Sequence, residues 1–288
     1  ITMSGCLMGD ALGFRAKSIG EPAPFTRPPW AREITELSGY GRGVRRVNGG
    51  EWWMEHPGTI DDGGHAEEAR DELIKIAFSY WDFVKHKSKM KEQAQTYALD
   101  HIPLMDAKRE SRRLVGDYIL NQNDADQGRL FPDRISYGGW PMDVHHPEGI
   151  FSGDGGSFDC NKRVPIYTIP FRCLYSKNIR NLLFAGRCSS VTHIALGTIR
   201  VQSTLATLGQ AAGTAAAMCI EKGISPRGVA ENYIHELQQT LLKNDQTIPE
   251  VKNEDPFDLA RQATVTASST ASYVEFGQLN VQREDMHP

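Results

Sequence analysis

Between Glu67 and Val84 the chain settles into a repeat. Ala69, Leu73, Ile76, Ala77, Tyr80 and Val84 recur at three- and four-residue spacing among charged positions. That pattern predicts an amphipathic helix of about five or six turns, with Glu67 and Glu68 at its positive end. Upstream, residues 18–64 break the pattern: Pro22, Pro24, Pro28, Pro29 and the run Gly50-Glu51-Trp52-Trp53 read as loops and short strands of an irregular cap. Downstream, three segments predict strands: 114–119, 164–169 and 181–185. The last, with its continuous Leu182-Leu183-Phe184-Ala185, suits a strand buried on both faces.

The apolar stretch from Ile199 to Ile220 predicts a buried helix, and within it Ala206, Gly209, Gly213 and Ala217 line up at helical spacing. So smooth a stripe permits close contact with a sheet or another helix. Lys222-Gly223 stops this helix, and a further one is expected over 229–242. The polar run 243–255 then marks a boundary, and the alternation of small, β-branched and hydroxyl residues over 263–270 reads as the opening strand of a β module. The mixture of elements places the chain in the α/β or α+β class.

Composition narrows the partners. A net charge of −4 over 288 residues gives no basic footprint, so nucleic acid is not expected. The Ile199–Ile220 stretch carries Arg200, Gln202 and Gln210, which makes it a poor membrane span. Five cysteines without CxxC spacing argue against a disulfide framework and a structural zinc site. A soluble protein, cytoplasmic or exported, that acts on a small molecule is the remaining expectation.

Chemistry concentrates after Asn181. The predicted strand ends at Ala185-Gly186-Arg187, a short loop carries Ser189, Ser190, Thr192 and His193, and Gly197-Thr198-Ile199 is expected to open the long helix. Free N–H groups at a helix start favour anions or electron-rich carbonyls, and glycine lets a planar ligand approach the backbone. The same pattern also serves as packing in an unrelated α/β protein.

The segment 181–218, NLLFAGRCSSVTHIALGTIRVQSTLATLGQAAGTAAAM, resembles the closing motif of the bacterial FAD-dependent oxidoreductase family that often carries the xanthan lyase name. The resemblance extends upstream through Trp52-Trp53, Asp61-Asp62, 109–117, 138–145 and 167–172, and covers most of residues 1–250. It implies FAD as cofactor and a glutathione-reductase-like FAD-binding domain of which this chain carries only the closing strand and helix. The family's N-terminal half, with its GxGxxG turn, is missing here, and Gly5-Cys6-Leu7-Met8-Gly9 is no substitute. The expected organisation is a cap and substrate region over 1–180, the FAD-domain return over 181–222, a helical segment over 223–250, a linker over 251–262 and a truncated, discoidin-like β module over 263–288.

The resemblance also places His193, Gly197 and Arg200 beside the flavin ring. There His193 would move a proton and Arg200 would stabilise negative charge; a helix-capping His and a paired Arg are the plainer readings. The rigid Gly138-Gly139-Trp140-Pro141 turn precedes Asp143, His145 and His146. Of these, His145 is a catalytic base candidate, and Asp143 and His146 are substrate-binding candidates with Trp52 and Trp53. Arg112, in the mixed run from Arg109 to Arg113, is a cofactor-side candidate. Asp61-Asp62 near His56 and His65 suggests either a metal cluster or a cap for the following helix; no metal is assigned.

The expected activity is hydride transfer from a polar hydroxylated molecule, a sugar or sugar acid, to FAD. Two alternatives stand beside it: a carbohydrate-binding or scaffold protein without flavin, and a metal-dependent hydrolase or lyase.

Overall fold

In the computed structural model, residues 7–37, 42–61, 63–153, 158–264 and 266–269 are described. The elements run β1 (Arg15–Ser18), α1 (Ala66–His86), α2 (Lys91–Ala94), β2 (Tyr97–His101), α3 (Gln122–Asp126), β3 (Arg134–Gly138), β4 (Met142–His145), β5 (Phe158–Lys162) and β6 (Tyr167–Pro170). Four helices follow: α4 (His193–Ile199), α5 (Gln202–Lys222), α6 (Pro226–Asn232) and α7 (Ile234–Lys243). Among the described residues, seven helices and three two-stranded sheets make an α+β fold. The chain divides into two compact units, Ile1–Arg112 with Asp143–Asn161, and Arg113–Met142 with Lys162–Pro288.

In the first unit α1 follows the expected periodicity. Its buried face, including Leu73, Ile76, Ala77, Tyr80, Trp81 and Val84, packs on Leu12, Phe14, Val47, Trp53 and Met54. Asp61 starts the helix indirectly: its Oδ1 accepts the Gly63 N–H at 3.1 Å, and its carbonyl accepts those of Gly64 and His65. Asp62 lies outside the described residues. β1 pairs antiparallel with β2, and the buried Lys85 at the end of α1 donates to the carbonyls of Ala23, Ala94, Tyr97 and Gln95 at 2.6–3.2 Å. β4 pairs with β5.

In the second unit β3 pairs antiparallel with β6, and α5 packs on β3 through a face that buries Leu208, Ala211, Ala215 and Met218. Gly138 opposes Tyr167, and a Cβ there would sit 2.4 Å from the Tyr167 hydroxyl, so only glycine lets the ring cross. α5 ends at Gly223 in the left-handed region, φ +65. The small-residue stripe Ala206, Gly209, Gly213 and Ala217 lies on the exposed face of α5, opposite the packed one.

Four local expectations change. Residues 114–119 form no strand: Gly116 is pressed so close to Arg172 and Tyr175 that a Cβ would meet the Arg172 carbonyl at 2.4 Å. The backbone bonds of this segment are split between 172–177 on one side and 188–190 on the other, through Tyr118 N–H to Arg172 O, Lys177 N–H to Val115 O, Leu114 N–H to Cys188 O and Leu120 N–H to Ser190 O. The doubly buried strand over 181–185 reduces to a bridge of Leu183 with Tyr175, flanked by Ser176 N–H to Leu182 O and Phe184 N–H to Leu174 O. The strand expected at 164–169 begins three residues later as β6; Pro165, having no N–H, cannot join a ladder as donor.

The long helix also divides. Thr192 caps α4, its side chain accepting the Ala195 N–H, so Gly197 and Thr198 lie inside that helix rather than at the start of α5. Val201, extended at ψ 139, separates the two. Most of the β module expected over 263–288 lies outside the described residues, and 263–264 and 266–269 hold no strand. Among the described residues no helix is long and apolar enough to cross a membrane.

Candidate functional site

The densest chemistry of the first unit gathers around Glu55. Two glycines bring other segments against the backbone at 55–56: a Cβ on Gly9 would fall 1.9 Å from the His56 carbonyl, and one on Gly149, at φ +55, would fall 2.6 Å from the carbonyls of both Glu55 and His56. The Ile150 N–H then bonds the Glu55 carbonyl at 3.1 Å. Asp143 and His145, two apart on β4, project to one face. His145 Nδ1 lies 2.6 Å from Glu55 Oε1 and its Nε2 lies 3.1 Å from Asp143 Oδ1. The edge of Trp52 meets the imidazole with centroids 5.1 Å apart.

Behind Glu55, Arg109 closes the line. One terminal nitrogen lies 3.0 Å from Glu55 Oε1 and donates to the Trp52 carbonyl, the other donates to the Gly9 carbonyl, and the Arg109 N–H donates to Asp10 Oδ1. The Asp10 N–H donates to His56 Nε2 at 3.1 Å, so the His56 proton sits on Nδ1, 2.7 Å from the Pro57 carbonyl. Lys108 stands 3.6 Å from Asp10, and Glu110 accepts the Met8 N–H. Acids this deeply buried persist because cations and N–H groups meet them. Along the line the side chains are 12% exposed at Arg109, 3% at Glu55, 2% at His145 and 17% at Asp143. Asp143 is therefore the most exposed member and the more exposed of the two acids.

The second unit holds the other candidates. Ala185 is extended and Gly186 turns left-handed at φ +84, with no atom within 4 Å of where a Cβ would stand. The Ser189 N–H and hydroxyl both return to the Gly186 carbonyl, and Arg187 is exposed. His193, buried, is the first residue of α4, and the half-buried Arg200 is its C-cap. Gly197, Thr198 and Ile199 are all buried; the Thr198 hydroxyl donates to the Trp140 carbonyl and accepts from the Tyr167 hydroxyl at 3.1 Å. Burial pushes the Tyr167 phenol far above its ordinary value.

Over residues 14–241 the chain matches the family model for FAD dependent oxidoreductases. The chain belongs to that family. No curated protein and no solved structure matches it. FAD is the cofactor that the family implies, and its chemistry is redox chemistry. The turn at 185–187 fits such a group: its left-handed glycine leaves the backbone open to a planar or anionic partner. Gly197, Thr198 and Ile199, by contrast, are occupied with packing and with the Tyr167–Thr198–Trp140 chain of hydrogen bonds.

Of the remaining candidates, Trp53 is 1% exposed in the core against Tyr80, whereas Trp52 borders His145. His146 faces away from His145 and accepts the Glu148 N–H at 3.2 Å. Arg112 is exposed, near the Gly63 turn. Among the described residues no three His, Cys, Asp or Glu side chains group as metal ligands. Glu55 is the site residue that sequence reading missed. Its only signal is an acid inside the run Trp52-Trp53-Met54-Glu55-His56, and nothing local ties it to position 145.

Proposed function

We propose that this chain handles the alcohol proton in the FAD-dependent oxidation of a small hydroxylated molecule. The observation that carries the reading is the line Arg109–Glu55–His145–Asp143, buried at its centre, with Asp143 the more exposed of its two acids. When bound, FAD would supply the redox chemistry, an acceptor for the hydride of the alcohol carbon. Asp143 takes the proton of the substrate hydroxyl. His145 lies between the two carboxylates, its Nδ1 2.6 Å from Glu55, which Arg109 anchors, and its Nε2 3.1 Å from Asp143, and so positions the Asp143 carboxylate. His145 thus acts through Asp143 rather than on substrate directly.

In the second unit, Ala185, Gly186 and Arg187 would hold the cofactor, and Arg200 is assigned to negative charge developing on it. Aldoses and sugar acids are the first substrates to try, because Trp52 offers a ring beside the imidazole. The test is anaerobic bleaching of added FAD by a panel of polyols, aldoses and hydroxy acids in the presence of the protein. A hydroxylated member of the panel bleaches the flavin, and Asp143→Asn slows this by about 10²–10⁴-fold. A panel that leaves the flavin oxidised, or an Asp143→Asn rate equal to wild type, overturns the reading.

A further inference from the structure

Asn48 is the one asparagine of this sequence that a glycine follows. The pair lies where residues 48–50 meet β1. The Ala16 N–H donates to the Asn48 carbonyl at 3.0 Å, the Gly50 N–H donates to the Phe14 carbonyl at 3.1 Å, and Arg15 stands opposite Gly49 in an antiparallel bridge. In a pairing of this kind the bonds belong to the flanking residues, and the N–H of the bridged residue points away from its partner. Accordingly, among the described residues nothing accepts the Gly49 N–H, and the exposed Asn48 side chain makes no hydrogen bond either.

A backbone nitrogen without an acceptor and an unbonded side-chain amide one residue before it are the two reactants of a five-membered ring closure. Neither has a hydrogen bond to break first. Closure asks the 48–49 peptide to rotate, and a residue with no Cβ accepts that rotation. Arg46 adds charge: its Nε lies 3.4 Å from where a Gly49 Cβ would stand, and its terminal nitrogen is tied to the Gly50 carbonyl at 2.6 Å. A cation at that range favours the deprotonated nitrogen that attacks.

We propose that Asn48–Gly49 is a site of self-modification, a deamidation through a succinimide. The Gly49 nitrogen gives its proton to hydroxide and bonds Asn48 Cγ; the Cγ–Nδ2 bond breaks, and the amide takes a proton from water and leaves as ammonia. Water then opens the ring at either carbonyl, leaving aspartate or isoaspartate at position 48, with nothing oxidised or reduced. Both products put a carboxylate near Arg46. The isoaspartate also turns the carbonyl that Ala16 bonds into a side carboxylate and lengthens the main chain opposite Arg15 by one atom. The site is independent of the redox reading, since no step there uses residues 46–49.

Mass spectrometry of the tryptic peptide 47–70 tests it, because Asn48 is the only side-chain amide in that peptide. After incubation of the folded protein in mildly alkaline buffer the peptide gains about 1 Da, ahead of the peptides that carry other asparagines. Asn48→Gln, which lengthens the ring to be closed, and Gly49→Ala, which adds a Cβ, each leave the peptide unconverted over the same interval. Position 48 is exposed, so the test survives if Gly49→Ala unfolds. A peptide that keeps its mass while the protein is folded, a gain no faster than at the other asparagines, or an undiminished gain in Asn48→Gln overturns the inference.

Discussion

The two units organise their candidate residues in opposite ways. In the first, side chains from positions 10, 55, 109, 143 and 145 converge on one buried ionic line. In the second, one contiguous stretch from Ala185 to Arg200 supplies a turn, a helix and its cap, while Gly116 and Gly138 elsewhere in that unit let backbone and ring approach closely. The difference teaches what each unit tolerates: the first depends on charges being complete, the second on side chains being absent.

Glu55→Ala attacks the first dependence and carries the largest expected effect. It leaves Arg109 and His145 buried without their shared carboxylate, which costs about 3–5 kcal/mol, whereas Glu55→Gln keeps the shape and costs less. Urea unfolding measures both. A loss under about 1 kcal/mol for the alanine variant would mean that packing alone holds the line, and the contrast between the units would dissolve.

Gly138→Ala makes the matching attack on the second unit. The added methyl would stand 2.4 Å from the Tyr167 hydroxyl and 2.5 Å from its ring, displacing a fully buried phenol that also bonds Thr198. Overpacking of this kind costs about 1–3 kcal/mol, read as a lowered unfolding midpoint. Gly186→Ala sharpens the comparison further. Its Cβ meets nothing, so only the left-handed backbone is strained, at roughly 1–2 kcal/mol. Weaker FAD binding with that small a stability loss separates a cofactor turn from a folding turn, and unchanged FAD affinity removes the cofactor role from Gly186.

The same contrast explains what the sequence made legible. The α1 periodicity and the Gly223 stop are local signals, and the structure carries both. The segment after Asn181 is also local, and it was enough to point to the family. Strands failed where tertiary crowding decides: Gly116 sits between carbonyls that no pattern around residue 116 reveals, and Thr192 captured the helix start because its hydroxyl reaches the Ala195 N–H. Glu55 stayed invisible because its partners lie 54 and 90 positions away. Asp143 and His145 were readable as chemistry, but their order of exposure, 17% against 2%, is a property of packing alone.

The smallest expected effect tests whether charge matters in the second unit at all. Arg227 holds Asp117 bidentately at 2.7 Å, and the Tyr175 hydroxyl donates to the same carboxylate. The Arg227 bonds, against some desolvation and aided by Tyr175, draw the Asp117 carboxyl below its ordinary range. A depressed folded-state value means stabilisation that is fully present above the unfolded value near pH 4 and is lost as pH falls through the folded one. The pair is partly exposed and screened, so Asp117→Asn should cost only about 0.2–1 kcal/mol at neutral pH. The gap between wild type and variant in thermal midpoint should close as the pH drops below about 4. A gap that rivals Glu55→Ala, or one that persists in acid, would show the second unit to rest on charge as heavily as the first.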